Sequence, residues 1–258
     1  MTDRSIQLVL HYDGGEFAGW QRQPSQRTVQ GVLEEALTRL ANAPVGVIGA
    51  GRTDAGVHAT GQAAGVVMPA KWTAAELRRA LNAILPRDVW VAAAYEMAPS
   101  FHARYSAVAR RYRYRVGTTE ASRSPFRSRW EATVLQPLDC GALTAAAATI
   151  VGAHRFVAFA VRGTAPADDD HRCTVTCAAW RETDGGVVFE VEANRFLHHM
   201  VRFLVGTMLD VATGRRPLAD VNALLDAPSN DSVSPPAPAC GLYLERVVYP
   251  EALYHRAA

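Results

Sequence analysis

Apolar and polar residues alternate along the first part of the chain in a pattern that predicts four strands and two helices. The strand candidates are short apolar or β-branched runs at positions 6–12, 45–48, 62–68 and 89–95. Residues 28–42 instead carry an apolar face at helical spacing, with Thr28 placed as the N-cap. Residues 73–85 predict a second helix, opened by a capping box of Thr73 and Glu76 and ended by Pro86. The order β-α-β-β-α-β is that of a ferredoxin-like unit.

The second half of the chain repeats this order less regularly. Strands are predicted at positions 111–116, 130–135, 174–183, 186–193 and 241–249. Helices are predicted at 139–151, at 197–213 and in a short segment after Pro217. Positions 227–239 contain four prolines and predict a loop or linker. The whole pattern predicts an α+β fold of two tandem ferredoxin-like halves, residues 1–105 and 106–258, with a groove between their sheets.

Composition narrows the class of protein. The chain has 258 residues, 49% of them hydrophobic and 20% charged, as is typical of a globular enzyme. No apolar run approaches the ~20 residues of a membrane span, and the N-terminus leads straight into a strand without a signal peptide. We therefore expect a cytoplasmic protein that does not contact membranes. Cys173 and Cys177 lack the C-x-x-C spacing, so we predict no metal site.

The positive charge of the chain is concentrated in one block. The net charge is only +2, but positions 104–129 hold eight arginines and a single acid, Glu120. Aromatic residues are interleaved with these arginines. A basic block with aromatics is the electrostatic footprint of a nucleic-acid-binding protein.

A glycine-dense loop at positions 49–58 carries the most informative carboxylate, Asp54. Gly49 and Gly51 follow a predicted strand, as in a dinucleotide-binding fingerprint, but Asp54 occupies the third glycine position and no helix follows. A nicotinamide or flavin enzyme is therefore disfavoured. On the local pattern alone, Asp54 is either a turn-capping residue or a functional carboxylate.

The predicted strand at positions 111–116 alternates with a period of two. Tyr112, Tyr114 and Val116 face one side, and the arginines between them face the other. Tyr112 is thus either a core tyrosine above a solvated basic edge or a residue that contacts a ligand.

Several ordered motifs together resemble one family. They are Tyr12-Asp13-Gly14, Gly19-Trp20-Gln21-Arg22-Gln23, Gly51-Arg52-Thr53-Asp54-Ala55-Gly56-Val57-His58, Phe101-His102-Ala103-Arg104, Ala109-Arg110-Arg111-Tyr112-Arg113-Tyr114, His198-His199-Met200-Val201-Arg202 and Gly241-Leu242-Tyr243-Leu244. By these motifs the sequence resembles the TruA family of tRNA pseudouridine synthases over most of its length.

The resemblance implies a fold, a reaction and partners. The expected fold is a pseudouridine synthase fold with a central RNA-binding cleft. The expected reaction is isomerisation of uridine to pseudouridine at positions 38, 39 and 40 of the tRNA anticodon stem-loop. The expected assembly is a homodimer that binds the anticodon arm, and neither a cofactor nor a metal is expected.

The resemblance also assigns roles to individual residues. Asp54 is implied to be the catalytic nucleophile. The residues implied to contact the target uridine or the space that it leaves are Tyr112, Arg52, Arg202 and Leu242. The residues implied to contact the RNA are Arg104, Arg110, Arg111 and His58, the last of which can also orient its own loop.

One loop departs from the family pattern. Residues 156–159 retain the Phe-x-x-Phe element, but Ala160 replaces the usual arginine and the loop that follows contains Asp168, Asp169 and Asp170. Three acids facing RNA would repel phosphate. We therefore expect either that Arg172 keeps the usual contact of the family while the acids face away, or that the preference for tRNA differs. An RNA-binding or RNA-folding protein of the same fold remains the alternative to an isomerase, although a pure binder has no need of Asp54.

Overall fold

The structure, a computed structural model, describes residues 3–166 and 168–255. Its contacts divide the chain into two compact units. Unit 1 contains residues 1–108 and 244–258, and unit 2 contains residues 109–243. Within the described residues, no helix combines the length and the apolar character needed to cross a bilayer.

Unit 1 has the predicted element order. The elements are β1 (Arg4–Tyr12), α1 (Val29–Ala41), β2 (Ile48–Gly49), β3 (His58–Met68), α2 (Ala74–Ile84) and β4 (Val89–Met97). Strand β1 pairs antiparallel with β3 and with β4, and β2 pairs antiparallel with β3. The spatial order is therefore β4-β1-β3-β2. It arises because α1 connects β1 to β2 across β3, and α2 connects β3 to β4 across β1.

N-cap hydrogen bonds determine where both helices of unit 1 begin. The hydroxyl of Thr28 accepts a hydrogen bond from the amide of Gly31. Thr73 and Glu76 form the predicted reciprocal capping box. These caps satisfy amides that the first helical turn leaves unpaired, and this is why the helix starts could be predicted from short motifs.

The prediction of a strand over residues 45–48 is wrong for most of that segment, because β2 contains only Ile48 and Gly49. Side chains of α1 bind the preceding backbone instead. The amide of Val47 donates to Glu34 Oε1 at 3.2 Å, and its carbonyl accepts from Gln30 Nε2 at 3.0 Å. These helix side chains replace the neighbouring strand that a longer β2 would need.

Unit 2 is built around the hairpin that the sequence predicts. The elements are β5 (Ala109–Gly117), β6 (Ala132–Thr133), α3 (Cys140–Thr149), β7 (Gly152–Arg155), β8 (Arg172–Thr183), β9 (Gly186–Ala193), α4 (Met200–Ala212) and α5 (Ala219–Asp226). Strands β5, β9, β8 and β7 pair antiparallel in that order, and β6 lies parallel to β5. Strand β7 was not predicted, and β6 is shorter than the segment 130–135. The description of this half as a second ferredoxin-like unit stays a prediction.

Helix α4 begins later than the predicted position 197. Its N-cap, His199, has a φ of 61° in the left-handed region, so the chain turns sharply before Met200. A non-glycine residue in this region is uncommon, and the apolar pattern across residues 197–203 gives no sign of the turn.

The C-terminal segment belongs with unit 1 rather than with the second half in which the sequence placed it. Strand β10 (Leu242–Val248) begins in unit 2 and continues into unit 1. Within unit 1, the amide of Val108 donates to the carbonyl of Val248, and the hydroxyl of Tyr249 donates to the carbonyl of Ala103 at 2.6 Å. A strand pattern predicts the strand but not the unit that receives it, and the predicted boundary at 105/106 therefore left this segment in the wrong half.

Candidate active site

Asp54 lies in the loop that connects β2 to β3 in unit 1. The carbonyl of Asp54 accepts a hydrogen bond from the amide of Val57, which closes a turn over Ala55 and Gly56. Gly56 has a φ of 76°, a conformation that favours glycine. The side chain of Asp54 is half-buried, whereas its neighbour Thr53 is buried with 6% exposure. The loop is thus anchored by a buried residue, Thr53, and holds the carboxylate of Asp54 at the surface.

Two buried polar side chains hold the base of this loop. The hydroxyl groups of Tyr12 and Thr53 are 2.8 Å apart in a buried hydrogen bond. Gln62 Nε2 donates to the carbonyl of Gly51 at 2.9 Å. Burial raises the pKa of the Tyr12 phenol well above its usual range, so this group stays a neutral hydrogen-bonding partner at physiological pH. Tyr12 of β1 therefore holds Thr53, the residue immediately before Asp54, and Gln62 of β3 holds Gly51.

The segment before α1 also forms hydrogen bonds with the loop of Asp54. The amide of Trp20 donates to the carbonyl of Thr53 at 3.0 Å, and the amide of Gly56 donates to the carbonyl of Phe17. Trp20 itself is buried with 3% exposure, and its ring lies against Gly49. These bonds pre-organise the backbone on both sides of Asp54, as a site that must place one carboxylate accurately requires.

His58, predicted to contact RNA, is buried with 1% exposure and so presents almost no surface to a ligand. Its Nδ1 accepts a hydrogen bond from the amide of Gly14 at 3.0 Å. The histidine therefore ties the start of β3 to the turn that follows β1. This agrees with the alternative expectation that it orients its loop.

Arg52 and Arg104 are the predicted nucleic-acid contacts of unit 1 that are exposed. Arg104 lies 5.8 Å from the ring centroid of Tyr105. Tyr105 is 79% exposed, and its ring stacks on His102 with centroids 4.4 Å apart. An exposed aromatic ring beside a cation is a platform on which a base can stack. Sequence reasoning noticed the aromatics of the basic block but did not select Tyr105, because its exposure is visible only in the fold.

In unit 2, β5 divides its residues between two faces as predicted. Tyr112, Tyr114 and Val116 are buried with 8%, 0% and 2% exposure. The ring of Tyr112 meets Phe196 edge to face, with centroids 5.0 Å apart. Tyr112 is thus a packed residue with a small exposed part, a state compatible with both of its sequence interpretations.

The opposite face of β5 carries arginines around one carboxylate. Glu190 of β9 accepts from Arg111 at 2.7 Å, from Arg113 at 3.4 Å and also from Arg181 of β8. Burial alone would raise the pKa of Glu190, but the hydrogen bonds from Arg181 and Arg111 outweigh it and leave the pKa below its usual value. Three arginines around Glu190 thus leave an excess of positive charge next to this carboxylate. Arg110 lies at the start of β5, where its Nη1 donates to the carbonyl of Asn194 at 2.9 Å.

Arg202 and Leu242 are the remaining predicted substrate contacts. Arg202 is half-buried in the first turn of α4, and its Nε donates to the carbonyl of Ala237 at 2.8 Å. Its Nη1 lies 3.5 Å from Nε2 of His199. Leu242 is buried with 5% exposure at the start of β10. The structure thus places Arg52 and Asp54 on one loop of unit 1, and Arg110, Arg111, Tyr112, Arg202 and Leu242 in unit 2.

Two acids of the loop that departs from the family pattern form ion pairs with nearby arginines. Asp169 is 9% exposed, pairs with Arg195 and accepts a hydrogen bond from the amide of His171 at 2.7 Å. Asp170 accepts from the amide of Arg172 at 2.9 Å and lies 3.4 Å from its Nε. Asp169 and Asp170 thus each have local partners, and the orientation of the acids relative to bound RNA stays a prediction.

The ion pair of Asp169 makes stability depend on pH in a defined direction. The hydrogen bond from Arg195 lowers the pKa of Asp169 below its ordinary value of 3.8. A lowered carboxyl pKa stabilises the folded state above the unfolded pKa, and this stabilisation disappears as the pH falls through the folded pKa. We expect Asp169→Asn to lower the free energy of unfolding at pH 7 by about 1–2 kcal/mol, with the deficit shrinking below about pH 4.

Urea titrations across this pH range test the expectation, with the exposed Asp168→Asn as the matched control. A deficit for Asp169→Asn that stays constant down to pH 2 would contradict it.

Comparison with known proteins identifies the family to which the chain belongs. A family model described as tRNA pseudouridine synthase matches residues 8–106 and 146–250, and the chain belongs to this family. Its relatives include proteins named tRNA pseudouridine synthase A. Those from Limosilactobacillus fermentum and Latilactobacillus sakei are 41% and 39% identical over 245 and 250 residues, which cover 94% and 96% of this chain and 95% and 100% of theirs. That from Frankia casuarinae is 43% identical over 253 residues, covering 97% of this chain and 92% of its own.

Proposed function

We propose that this protein isomerises uridine to pseudouridine in the anticodon stem-loop of tRNA, at positions 38, 39 and 40, with Asp54 as the catalytic nucleophile. Membership of the tRNA pseudouridine synthase family supports the reaction and the class of substrate. The observation that carries the assignment of Asp54 is the loop itself. Hydrogen bonds from Tyr12, Trp20 and Gln62 hold Thr53 and Gly51, while the carboxylate stays half-buried at the surface.

The proposed reaction suits a single carboxylate. The bond between N1 of the base and C1′ of the sugar breaks, and a bond between C5 and C1′ replaces it. The proton leaves C5, and N1 of the product carries a proton, so the reaction is balanced without an oxidant or a reductant. A carboxylate can act as a nucleophile that holds one fragment of the cleaved nucleoside while the base turns.

Tyr112, Arg52 and Leu242 are proposed to hold the target uridine. The base must leave the RNA stack before chemistry, and this costs a few kcal/mol. Arg52 is exposed two residues before Asp54, and its guanidinium can offset part of the cost by stacking on the neighbouring bases or contacting phosphate. Tyr112 supplies a phenol for contact with the base, and Leu242 an apolar surface on which it can pack.

Arg202 is proposed to contact the reacting groups as a cation. Its Nε is anchored to the carbonyl of Ala237, and this bond fixes the plane of the guanidinium. A planar guanidinium presents several N–H donors in a fixed geometry, which matches a carboxylate or a phosphate better than lysine does.

Arg104, Arg110 and Arg111 are proposed to bind RNA phosphates, and this predicts a steep dependence of affinity on salt. Each phosphate contact releases counterions, so the dissociation constant for tRNA should rise at least about tenfold between 50 and 200 mM salt. Arg104→Gln and Arg110→Gln should each reduce the slope by about one unit. Arg79→Gln, an exposed arginine on α2, is the control and should leave the slope unchanged. A salt-independent affinity would exclude these arginines as the RNA track.

A homodimer is also proposed on the resemblance to the family, and a cytoplasmic location on the composition of the chain. Sedimentation equilibrium tests the first, and a concentration-independent monomer mass would contradict it.

Release of tritium from tRNA that carries 5-tritiated uridine tests the proposed reaction directly, because the C5 proton must leave. Release, followed by mapping of the product to positions 38–40, is the expected result. Tight tRNA binding without release would instead favour the alternative function, an RNA-binding or RNA-folding protein.

A further inference from the structure

The proline-rich segment after α5 is the feature of unit 2 that the proposed reaction leaves unexplained. The sequence predicts a loop or linker there, but Ser234 and Ala237 are buried with 3% and 5% exposure. Residues 235–238 read Pro-Pro-Ala-Pro. Because proline has no backbone N–H and a fixed φ, this stretch is stiff and offers mainly carbonyl acceptors.

The backbone of residues 235–238, here called the strap, is bonded to α4 and β5. Its one amide N–H, that of Ala237, donates to the carbonyl of Arg202 at 2.9 Å. The carbonyl of Ala237 in turn accepts from Arg202 Nε at 2.8 Å, and the carbonyl of Pro238 accepts from the hydroxyl of Tyr114 at 2.7 Å. The strap therefore forms hydrogen bonds with both the backbone and the side chain of Arg202.

Gly206 is the residue that lets the strap approach α4 so closely. It lies one helical turn after Arg202, and a Cβ added to it would be only 2.1 Å from the carbonyl oxygen of Pro235 and 3.4 Å from the amide nitrogen of Ala237. Any larger residue must therefore push the strap outward by about 1 Å. Glycine in a helix interior costs about 1 kcal/mol relative to alanine, so its presence here needs a compensating reason.

We propose that the strap is a positioning element for the guanidinium of Arg202, and that Gly206 is the positioning residue that allows it to close. This inference rests on the proposed function of Arg202. The strap holds Nε and so orients the terminal amino groups of the guanidinium. A displacement of about 1 Å is enough to reduce a rate by as much as 100-fold.

Gly206→Ala tests the proposal by kinetics. We expect kcat for pseudouridine formation to fall at least about tenfold, while KM for tRNA changes less than about threefold. Gly141→Ala, an exposed glycine in the first turn of α3, adds the same methyl group to another helix of unit 2 and should have no effect on kcat. Equal kcat values for Gly206→Ala and Gly141→Ala would overturn the proposal.

A double-mutant cycle with Arg202→Ala separates positioning from general damage to the fold. If Gly206 acts through Arg202, adding Gly206→Ala to Arg202→Ala should cost less than about twofold more. The same factor in both backgrounds would overturn the proposal. Full activity of Arg202→Ala would overturn the proposed role of Arg202 itself. Absence of isomerisation by the wild type would overturn the proposed function and this inference with it.

Two further measurements keep the test decisive if Gly206→Ala folds poorly. Tyr114→Phe removes the anchor of Pro238 without adding volume, and we expect a smaller fall in kcat that again vanishes in the Arg202→Ala background. The Nε–H resonance of Arg202, assigned by its loss in Arg202→Lys, should be protected from exchange with solvent in the wild type. Rapid exchange of this proton with solvent in the wild type would contradict the hydrogen bond between Nε and the strap, and with it the proposal.

Discussion

Asp54→Asn is expected to abolish tritium release from tRNA, with a loss of at least about 10³-fold in the single-turnover rate. Asparagine keeps the size and the hydrogen-bonding reach of aspartate but removes the charge and the nucleophilic oxygen. The affinity for tRNA should stay within about threefold of the wild type, because phosphate contacts dominate binding and none of them requires Asp54.

The structure also predicts that Asp54→Asn leaves the fold intact. The loop is held through the hydroxyl and carbonyl of Thr53, the carbonyl of Gly51 and the amide of Gly56, and none of these groups changes. Thermal unfolding checks this point. Asp184→Asn, an exposed carboxylate in the turn between β8 and β9, is the control and should retain full activity. An Asp54→Asn variant that releases tritium at the wild-type rate would contradict both the nucleophile and the proposed mechanism.

The parts of the fold that the sequence predicted well are those that local interactions determine. The start of α1 at Thr28 and the box of Thr73 and Glu76 depend on residues three positions apart. The hairpin of β8 and β9 depends on the turn at Asp184 and Gly185. All residues that take part in these interactions lie close together in the sequence, so they can be recognised without knowledge of the tertiary structure.

The elements that were predicted wrongly depend on distant partners. Strand β2 is short because Gln30 and Glu34, more than ten residues earlier, bind the backbone at Val47. The short strand β7 exists because β8 pairs with it along residues 172–175. No local pattern contains these partners, because the fold alone brings them together.

The candidate site shows the same division. Asp54 could be selected from its motif, but the bond between Tyr12 and Thr53 spans 41 positions and could not be predicted. The burial of His58 likewise required the structure. The predicted loop or linker at 227–239 is confirmed as a loop, since residues 227–238 form neither helix nor strand. Its prolines gave no sign, however, of the three polar contacts that the strap makes with Arg202 and Tyr114.

Glycines around the site look alike in the sequence but differ in what surrounds them. A Cβ added to Gly51, three residues before Asp54, would meet nothing within 4 Å. A Cβ added to Gly14 would lie 2.0 Å from the carbonyl oxygen of Val57 and 2.4 Å from its carbonyl carbon. Because both atoms belong to the backbone, no side-chain rotation can relieve the clash. The approach of Gly14 to Val57 is also what lets its amide reach His58.

Gly14→Ala is therefore expected to have the second large effect. Overpacking of a buried site costs about 1–3 kcal/mol, and a clash with backbone lies at the upper end or beyond it, so the free energy of unfolding should fall by about 3 kcal/mol. The melting temperature should fall by about 5–10 °C. Since Val57 bonds back to the carbonyl of Asp54, the displacement reaches the carboxylate, and kcat should fall by about 100-fold.

Gly51→Ala is the matched control for stability, because it adds the same methyl group to the same loop without a clash. Its free energy of unfolding should lie within about 0.5 kcal/mol of the wild type. Urea denaturation of the two variants side by side makes the comparison. Equal stability of Gly14→Ala and Gly51→Ala would mean that the chain can move Val57 without cost. The position of the Asp54 loop would then depend on Tyr12, Phe17, Trp20 and Gln62 rather than on the close approach of Gly14.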